Sequence, residues 1–383
     1  MANRIRVLHI ISDTNIGGAG HCLINYLKYC DRAKFAVAAV VPRGSLLVPE
    51  IRAQNIPLAE VDGMRDKSFD PAAIRKLRAI IRRERPQIVH THGSLSGRIA
   101  ARQAGAKVIF TRHCVFPVPD RVKRGPGRWL NKALNEHYAD RIIAVSPAAA
   151  ENLTDGGISA EKITVLINGV PPMPRSPREE TQALRAQWGI GDGDFVLGIL
   201  ARLEDYKGHM DILSALRVLR EEGRPVKLLI AGVGSYEDAL RRETARLGLE
   251  DAVRFLGFVA DVAPLLSVLD LQLNASYGTE TSSLSILEGM SMGLPAVVSD
   301  YGGNPWLIDD GEDGLIFPTR DDAALAVAVA RLMDSREELA RMGRRAEEIY
   351  RARFTGEIFA RNIENIYLDI LKGAKSWNKR DSV

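Results

Sequence analysis

Arg202 and Lys207 stand with four residues between them, just past an apolar run ending Gly198-Ile199-Leu200 and just before a helix start at Gly208-His209. A planar guanidinium and an ammonium point charge beyond a strand's carboxyl end can neutralise a diphosphate. Two solvated surface cations would produce the same pattern. Glu280 and Glu288 form a second constellation, across a loop and into a helical stretch holding Leu284, Ile286, Leu287 and Met290. A carboxylate in such apolar company needs hydrogen-bond donors, because burying it unpaired is costly. Sugar and ribose hydroxyls are suitable donors. A third element, Gly17-Gly18-Ala19-Gly20, separates a strand-like run from a helical one. Glycines there let backbone N–H groups approach a ligand, and a helix N-terminus favours anions. The spacing is not G-x-G-x-x-G, and a plain tight turn accounts for it equally well.

His90 and His92 share one face of a strand by period two. With His113 they could compose a metal site, but no carboxylate or thiol accompanies them at ligand spacing. The sequence therefore predicts no metal, favours His113 as the functional histidine, and leaves His90 and His92 as cleft lining or core. Cys22, Cys30 and Cys114 are odd in number and widely spaced, which fits neither a disulfide framework nor a zinc ribbon. A reducing cytoplasm is the natural setting. Residues 121–132 gather five cations around Trp129. Basic-aromatic segments suit an anionic membrane interface; a solvated loop suits the composition as well. Nucleic acid is not expected, since no nucleic-acid motif appears.

These residues need a scaffold to bring them together. The 383 residues suggest two domains, and the apolar and charged fractions of 46% and 26% are those of a globular protein rather than a disordered or fibrous one. No apolar stretch is long enough to span a membrane, and the start carries no signal-like h-region. Strand-like runs at Arg6–Ile11, Phe35–Val41, Ile88–Thr91, Val108–Thr111 and Ile142–Val145 alternate with helical stretches near Pro71–Arg85, Ser96–Ala104 and Trp129–Tyr138. Such alternation predicts βαβ units on a parallel sheet. Four prolines within residues 171–177 mark a linker. A second series follows, with strands at Phe195–Leu200, Val226–Ala231, Val253–Leu256, Leu271–Asn274, Ala296–Ser299 and Leu315–Phe317. An amphipathic helix from about Gly356 to Lys372 and a polar tail close the chain.

Charge divides with the halves: 26 Lys and Arg against 14 Asp and Glu through Val170, then 26 against 34. A basic first half fits an anionic surface or a phosphorylated ligand, or is simply a basic solvated face. The architecture predicted is α/β, with two doubly wound Rossmann-like domains, 1–170 and 171–355, facing an interdomain cleft. Residues 356–383 supply a helix that crosses back to the first domain, then the tail. Such sheets bind ligands at the carboxyl ends of their strands.

Arg202-x4-Lys207, Glu280-x7-Glu288, Gly302-Gly303-Asn304-Pro305 and Asp310-Gly311-x2-Gly314 follow in order. In that order they resemble the retaining GT-B glycosyltransferases of family 4 (glycosyl transferases group 1), over nearly the whole chain. The resemblance implies that Arg202 and Lys207 hold the donor diphosphate, that Glu288 binds the nucleotide ribose, and that Glu280 binds hydroxyls of the transferred sugar. Gly17 and Gly18 would approach diphosphate and sugar from the N-terminal domain. Phe258 and Val259 match the stretch whose backbone meets the base, and His113 the active-site histidine near the donor sugar. Where the family often has Glu-Gly-Phe-Gly, this chain has Glu280-Thr281-Ser282-Ser283, followed by Leu284: hydroxyls replace glycines at the donor. The implied activity is sugar transfer from a nucleotide-diphosphate sugar, most commonly a UDP-sugar, to an acceptor hydroxyl. It needs no metal or other cofactor. The acceptor, often lipid-linked in related enzymes, belongs to the N-terminal domain, and cell-surface polysaccharide, lipopolysaccharide or glycolipid assembly is the implied setting. The implied location is cytoplasmic, with peripheral membrane contact through the basic domain. A UDP-sugar epimerase on the same scaffold, or a nucleotide-sugar binding subunit without activity, are the rival readings.

Overall fold

The computed structural model describes residues 4–64 and 69–373; the polar tail expected after Lys372 lies outside them. The chain divides into two compact units, one of residues 1–170 with 355–383 and the other of residues 171–354.

The first unit holds seven strands: β1 (Ile5–Ile11), β2 (Phe35–Pro42), β3 (Leu58–Val61), β4 (Ile88–His92), β5 (Lys107–Arg112), β6 (Arg141–Ala144) and β7 (Ile163–Val165). All pair in parallel, in the order β3-β2-β1-β4-β5-β6-β7. β1, β2 and β4 are almost entirely buried, as near-continuous apolar strands of a two-faced sheet must be. β3 and β7 were not legible in the sequence. They are the short outermost strands, and in β3 only Val61 is fully buried. Apart from Arg124, residues 121–132 lie in two helices rather than a loop, Asp120–Lys123 and Gly125–His137, the second taking in the helical stretch expected near Trp129–Tyr138, and no residue of either is buried.

The chain leaves this unit at Val170 and returns at Thr355, and the two points are tied by a bridge and by Gly356 N–H donating to the Val170 carbonyl at 3.0 Å. The closing helix, Gly356–Lys372, begins with the Thr355 hydroxyl capping Ile358 N–H. It buries Phe359, Ile363, Ile366, Tyr367 and Ile370 along one stripe. Its first residue must be glycine, because a Cβ on Gly356 would overlap the Tyr29 ring of the helix Gly18–Tyr29.

The second unit holds six parallel strands: β8 (Phe195–Leu200), β9 (Val226–Ala231), β10 (Val253–Gly257), β11 (Leu271–Asn274), β12 (Ala296–Ser299) and β13 (Gly314–Phe317), in the order β10-β9-β8-β11-β12-β13. One face packs Leu197, Ile199, Leu228 and Ile230 under the helices His209–Glu221 and Asp322–Asp334, and the other packs Val196 and Leu229 on Leu265 and Leu266. In each sheet the strand order reverses beside the unit's first strand, at β1/β4 and at β8/β11. Such reversal points open a crevice at the carboxyl ends of the two strands.

Candidate active site

In the second unit that crevice falls between the loops after β8 and β11, which pair directly through Leu197 and Leu271. The β8 loop carries Arg202 and Lys207; the β11 loop carries Glu280. Lys207 Nζ donates to Glu280 Oε2 at 2.8 Å, with the two side chains 14% and 8% exposed. The same oxygen accepts from Ser276 Oγ at 3.0 Å and Asn274 Nδ2 at 3.2 Å. Burial alone would raise the Glu280 pKa. The Lys207 charge and these three donors outweigh it and hold the carboxyl below its ordinary value.

The backbone beneath is built for close approach. Gly208, at φ +73°, starts the helix His209–Glu221, and a Cβ there would overlap the Ala275 carbonyl oxygen. Thr279 takes φ +53°, a left-handed conformation rare outside glycine, immediately before Glu280. Gly302 and Gly303 lie directly against the Glu280 and Thr281 carbonyl oxygens, where a side chain on either would collide. Asn304 Nδ2 donates to Ser299 Oγ at 3.1 Å, and that hydroxyl donates to the Ser276 carbonyl at 2.6 Å. The Gly302-Gly303-Asn304 motif thus supports the Glu280 loop from below.

Arg202 is exposed. Its Nη2 donates to Tyr206 Oη at 2.8 Å, and its guanidinium and the Lys207 ammonium each lie 6.0 Å from the Tyr206 ring centroid. Past Glu280, Ser283 opens the helix Leu284–Ser291 but does not cap it with its side chain; its hydroxyl meets Ser285 Oγ at 3.1 Å instead. Thr281 and Ser282 are buried, and Ser282 Oγ has no hydrogen-bond partner among the described residues. The N–H groups of that first turn, with the helix dipole, suit an anion. Glu288, further along the same helix, is half-buried, and burial pushes its carboxyl up to about 7.

Phe258 and Val259 follow the edge strand β10, two strands from β8. Phe258 is 74% exposed, while Val259 packs partly into the core. Sequence reasoning passed over Gly232 and Gly234. A Cβ on either would overlap a carbonyl oxygen of the Arg202-bearing loop, Ala201 and Leu203 respectively. Two glycines directly after a strand, Ala231-Gly232-Val233-Gly234, were the available signal.

In the first unit, Gly17 is the N-cap of the helix Gly18–Tyr29, with no side-chain cap. Among the described residues, a Cβ on Gly18 would meet nothing within 4 Å, and one on Gly17 only Asp13 Oδ2 at 3.6 Å. Internal packing does not demand glycine at either place. His113 follows β5, half-buried, and burial lowers its pKa to about 4. Its Nε2 lies 2.9 Å from His92 Nδ1. His92 Nε2 lies 3.1 Å from Nδ1 of His9, which the sequence reading missed. His9 is a lone histidine inside an apolar strand, revealed only when β1 registers with β4 and sets it opposite His90. One ring nitrogen from each of His9, His90 and His92 comes within 4.8 Å of the other two. All six ring nitrogens of the three are already engaged in hydrogen bonds to His113, Tyr367, Thr111 or each other. His90 and His92 are core, and burial first, then neighbouring histidines, lower the pKa of all three well below the ordinary value.

Two parallel α/β units, with polar side chains gathered at the strand-order reversal, define the GT-B class of glycosyltransferase fold. The chain belongs to glycosyltransferase family 4. Residues 16–173 match the family Glycosyltransferase Family 4, and residues 180–349 match Glycosyl transferases group 1. EpsD of Bacillus subtilis strain 168, which bears a glycosyltransferase name, is 30% identical over 299 residues, 73% of this chain and 77% of that one. The alpha-monoglucosyldiacylglycerol synthase of Streptococcus pneumoniae is 27% identical over 341 residues, 83% of this chain and 74% of that one. Anabaena HepE, solved with UDP-glucose, superposes at a TM-score of 0.83 with 22% identity, covering 96% of this chain and all of that one. The protein is a glycosyltransferase enzyme. Among the described residues, no helix is long and apolar enough to cross a membrane.

Proposed function

We propose that the enzyme transfers a sugar from a UDP-sugar to an acceptor hydroxyl with retention of anomeric configuration. The observation that carries this reading is the buried Lys207–Glu280 pair beside Arg202 and an uncapped helix N-terminus. It supplies positive charge for a diphosphate and a carboxylate for sugar hydroxyls at one crevice. HepE binds UDP-glucose on the same fold. Arg202, Lys207 and the N–H groups of residues 283–285 bind the diphosphate and stabilise the charge that grows on it as the sugar leaves. Glu288 accepts from the ribose, Glu280 and Ser282 meet the sugar, and Phe258 and Val259 meet the base. In the first unit, the roles in sugar transfer that the family resemblance implies are those of Gly17, Gly18 and His113.

In the reaction the bond from the anomeric carbon to the β-phosphate oxygen breaks. The acceptor oxygen bonds to that carbon from the same face, and its proton passes to the leaving phosphate oxygen. No metal is required. The acceptor is a lipid-linked or glycolipid hydroxyl of cell-surface assembly. The setting is the cytoplasmic membrane face, supported by the exposed basic helices at 120–137.

Thermal stability with UDP, GDP, ADP and CDP in turn tests the donor. A ligand at ~100 times its dissociation constant adds about 2.7 kcal/mol to the folded state. UDP alone is expected to raise Tm, and Lys207→Ala to abolish the shift. Equal shifts from all four, or an unchanged shift in the variant, would overturn the site. Transfer that persists in EDTA, with a product of donor configuration by NMR, completes the test.

A further inference from the structure

The first unit contains an unbroken hydrogen-bonded chain whose members beyond His113 have no part in the proposed sugar transfer. From His113 it runs through His92 and His9 to Tyr367 of the closing helix, then to His90 and Thr111. The successive separations are 2.9, 3.1, 3.2, 2.7 and 2.6 Å. Apart from His113, every member is nearly or fully buried. At each histidine-to-histidine link Nε2 of one ring faces Nδ1 of the next. Burial keeps all four imidazoles neutral at neutral pH.

A neutral imidazole has one N–H and one bare nitrogen. One proton occupies each link, so each imidazole passes the direction on. The Tyr367 hydroxyl passes it on when it donates to one histidine and accepts from the other, which holds when its second lone pair accepts from Tyr26. Burial raises the pKa of both tyrosines, and the hydrogen bond between them raises that of Tyr26 further and lowers that of Tyr367. Two arrangements then satisfy every bond, one running each way. The Thr111 end decides between them. Its hydroxyl has a single proton, and its partner at 2.6 Å is His90 Nε2. When Thr111 donates inward, His90 Nδ1–H donates to Tyr367, Tyr367 to His9 Nε2, His9 Nδ1–H to His92 Nε2, and His92 Nδ1–H to His113 Nε2. The opposite arrangement turns Thr111 into an acceptor and makes its buried proton seek another partner, which is costly. A metal ion held by His9, His90 and His92 would have to break these bonds.

We propose that this chain fixes His113 as the Nδ1–H tautomer, a hydrogen-bond donor rather than a base, with Thr111 and Tyr367 as positioning residues that act through it. For catalysis, the inference rests on His113 serving the donor site. The tautomer itself does not.

The test is 15N NMR of histidine-labelled full-length protein, without ligand, for the wild type, Thr111→Val and Tyr367→Phe. Nδ1 protonation of His9, His90, His92 and His113 is expected in the wild type. Both substitutions should shift His113 towards Nε2 protonation, and Thr111→Ser should restore it. Nε2 protonation at His113 in the wild type, or spectra unchanged in both variants, would overturn the proposal. In turnover, both variants should lower kcat with the donor KM unchanged. The spectra need neither nucleotide nor turnover. A failure of the donor assignment therefore leaves the tautomer result readable, and an unshifted tautomer leaves the donor assignment standing.

Discussion

Lys207 Nζ lies 2.8 Å from Glu280 Oε2, and neither side chain has much access to water. Taken separately from the sequence, these two residues belong to a diphosphate and a sugar; folded, they answer each other's charge. Removing one member strands the other, which typically costs about 3–5 kcal/mol. Lys207→Ala should therefore lower stability in urea as well as transfer, whereas the double variant Lys207→Met/Glu280→Gln should recover much of the stability and none of the activity. The pair also has a pH signature. The Glu280 pKa is depressed on folding, so its stabilisation is present above the unfolded-state value and is lost as pH falls through the lower folded value. Glu280→Gln should flatten that acid limb in urea melts.

Gly303 sits so close to the Thr281 carbonyl that a methyl group would displace it. Gly303→Ala must push the loop 280–283 away from its support. The expected result is a large loss of nucleotide affinity with a stability loss of about 1–3 kcal/mol, typical of overpacking. Gly18→Ala is the contrasting control, because nothing among the described residues lies within 4 Å of that added atom. It should leave the melting temperature unchanged and reduce donor turnover alone.

The strand cores of both sheets were legible because a strand buried on both faces is written as an apolar run, as in Phe35–Val41 and Val226–Ala231. Leu58–Val61 was not, since an edge strand with one fully buried residue has no such signature. At the site, residue type and order pointed to Arg202, Lys207, Glu280 and Glu288, but not to the bond between Lys207 and Glu280. Nor did they show that Ser276 and Asn274 share the same carboxylate oxygen. His9 was invisible for a stricter reason. Its meaning depends on the register of β1 against β4, and period-two reasoning within one strand carries no register.

Ser282 Oγ is buried with no partner among the described residues. Such a group costs about 1–3 kcal/mol until something bonds to it. Ser282→Ala should therefore leave the free enzyme as stable as before or more so. The same change should weaken the UDP-sugar more than UDP, because the lost partner belongs to the sugar. Calorimetric titrations with UDP and the intact donor give the comparison, and equal losses for both would assign Ser282 elsewhere.

Glu288 is the opposite case to Glu280. Burial without a compensating cation pushes its carboxyl up to about 7. Its folded pKa lies above the unfolded value, so this group favours the folded state more as pH falls from about 7 towards the ordinary carboxylate range. A ribose hydroxyl donating to it favours the ionised form. UDP affinity should therefore rise as pH increases from about 6 to about 8, with a proton released on binding. The nucleotide's own phosphate titrates in both proteins, so the part of the slope that disappears in Glu288→Gln belongs to this residue.

The helix Gly125–His137 has no buried residue and presents Trp129 and Leu130 at 71% and 62% exposure. The cations Arg121, Lys123, Arg124, Arg128 and Lys132 lie along the same segment. Apolar anchors amid cations bind an anionic bilayer by partial insertion and by charge together, and each basic residue near such a surface contributes about 1 kcal/mol. Vesicles containing phosphatidylglycerol should sediment the enzyme, and vesicles of phosphatidylcholine alone should not. Trp129→Ala with Leu130→Ala should weaken binding without changing its salt dependence. Arg124→Gln with Arg128→Gln should weaken it and reduce that dependence, since charge is screened by salt and apolar insertion is not. Unchanged sedimentation in both double variants would place the membrane contact elsewhere on the protein.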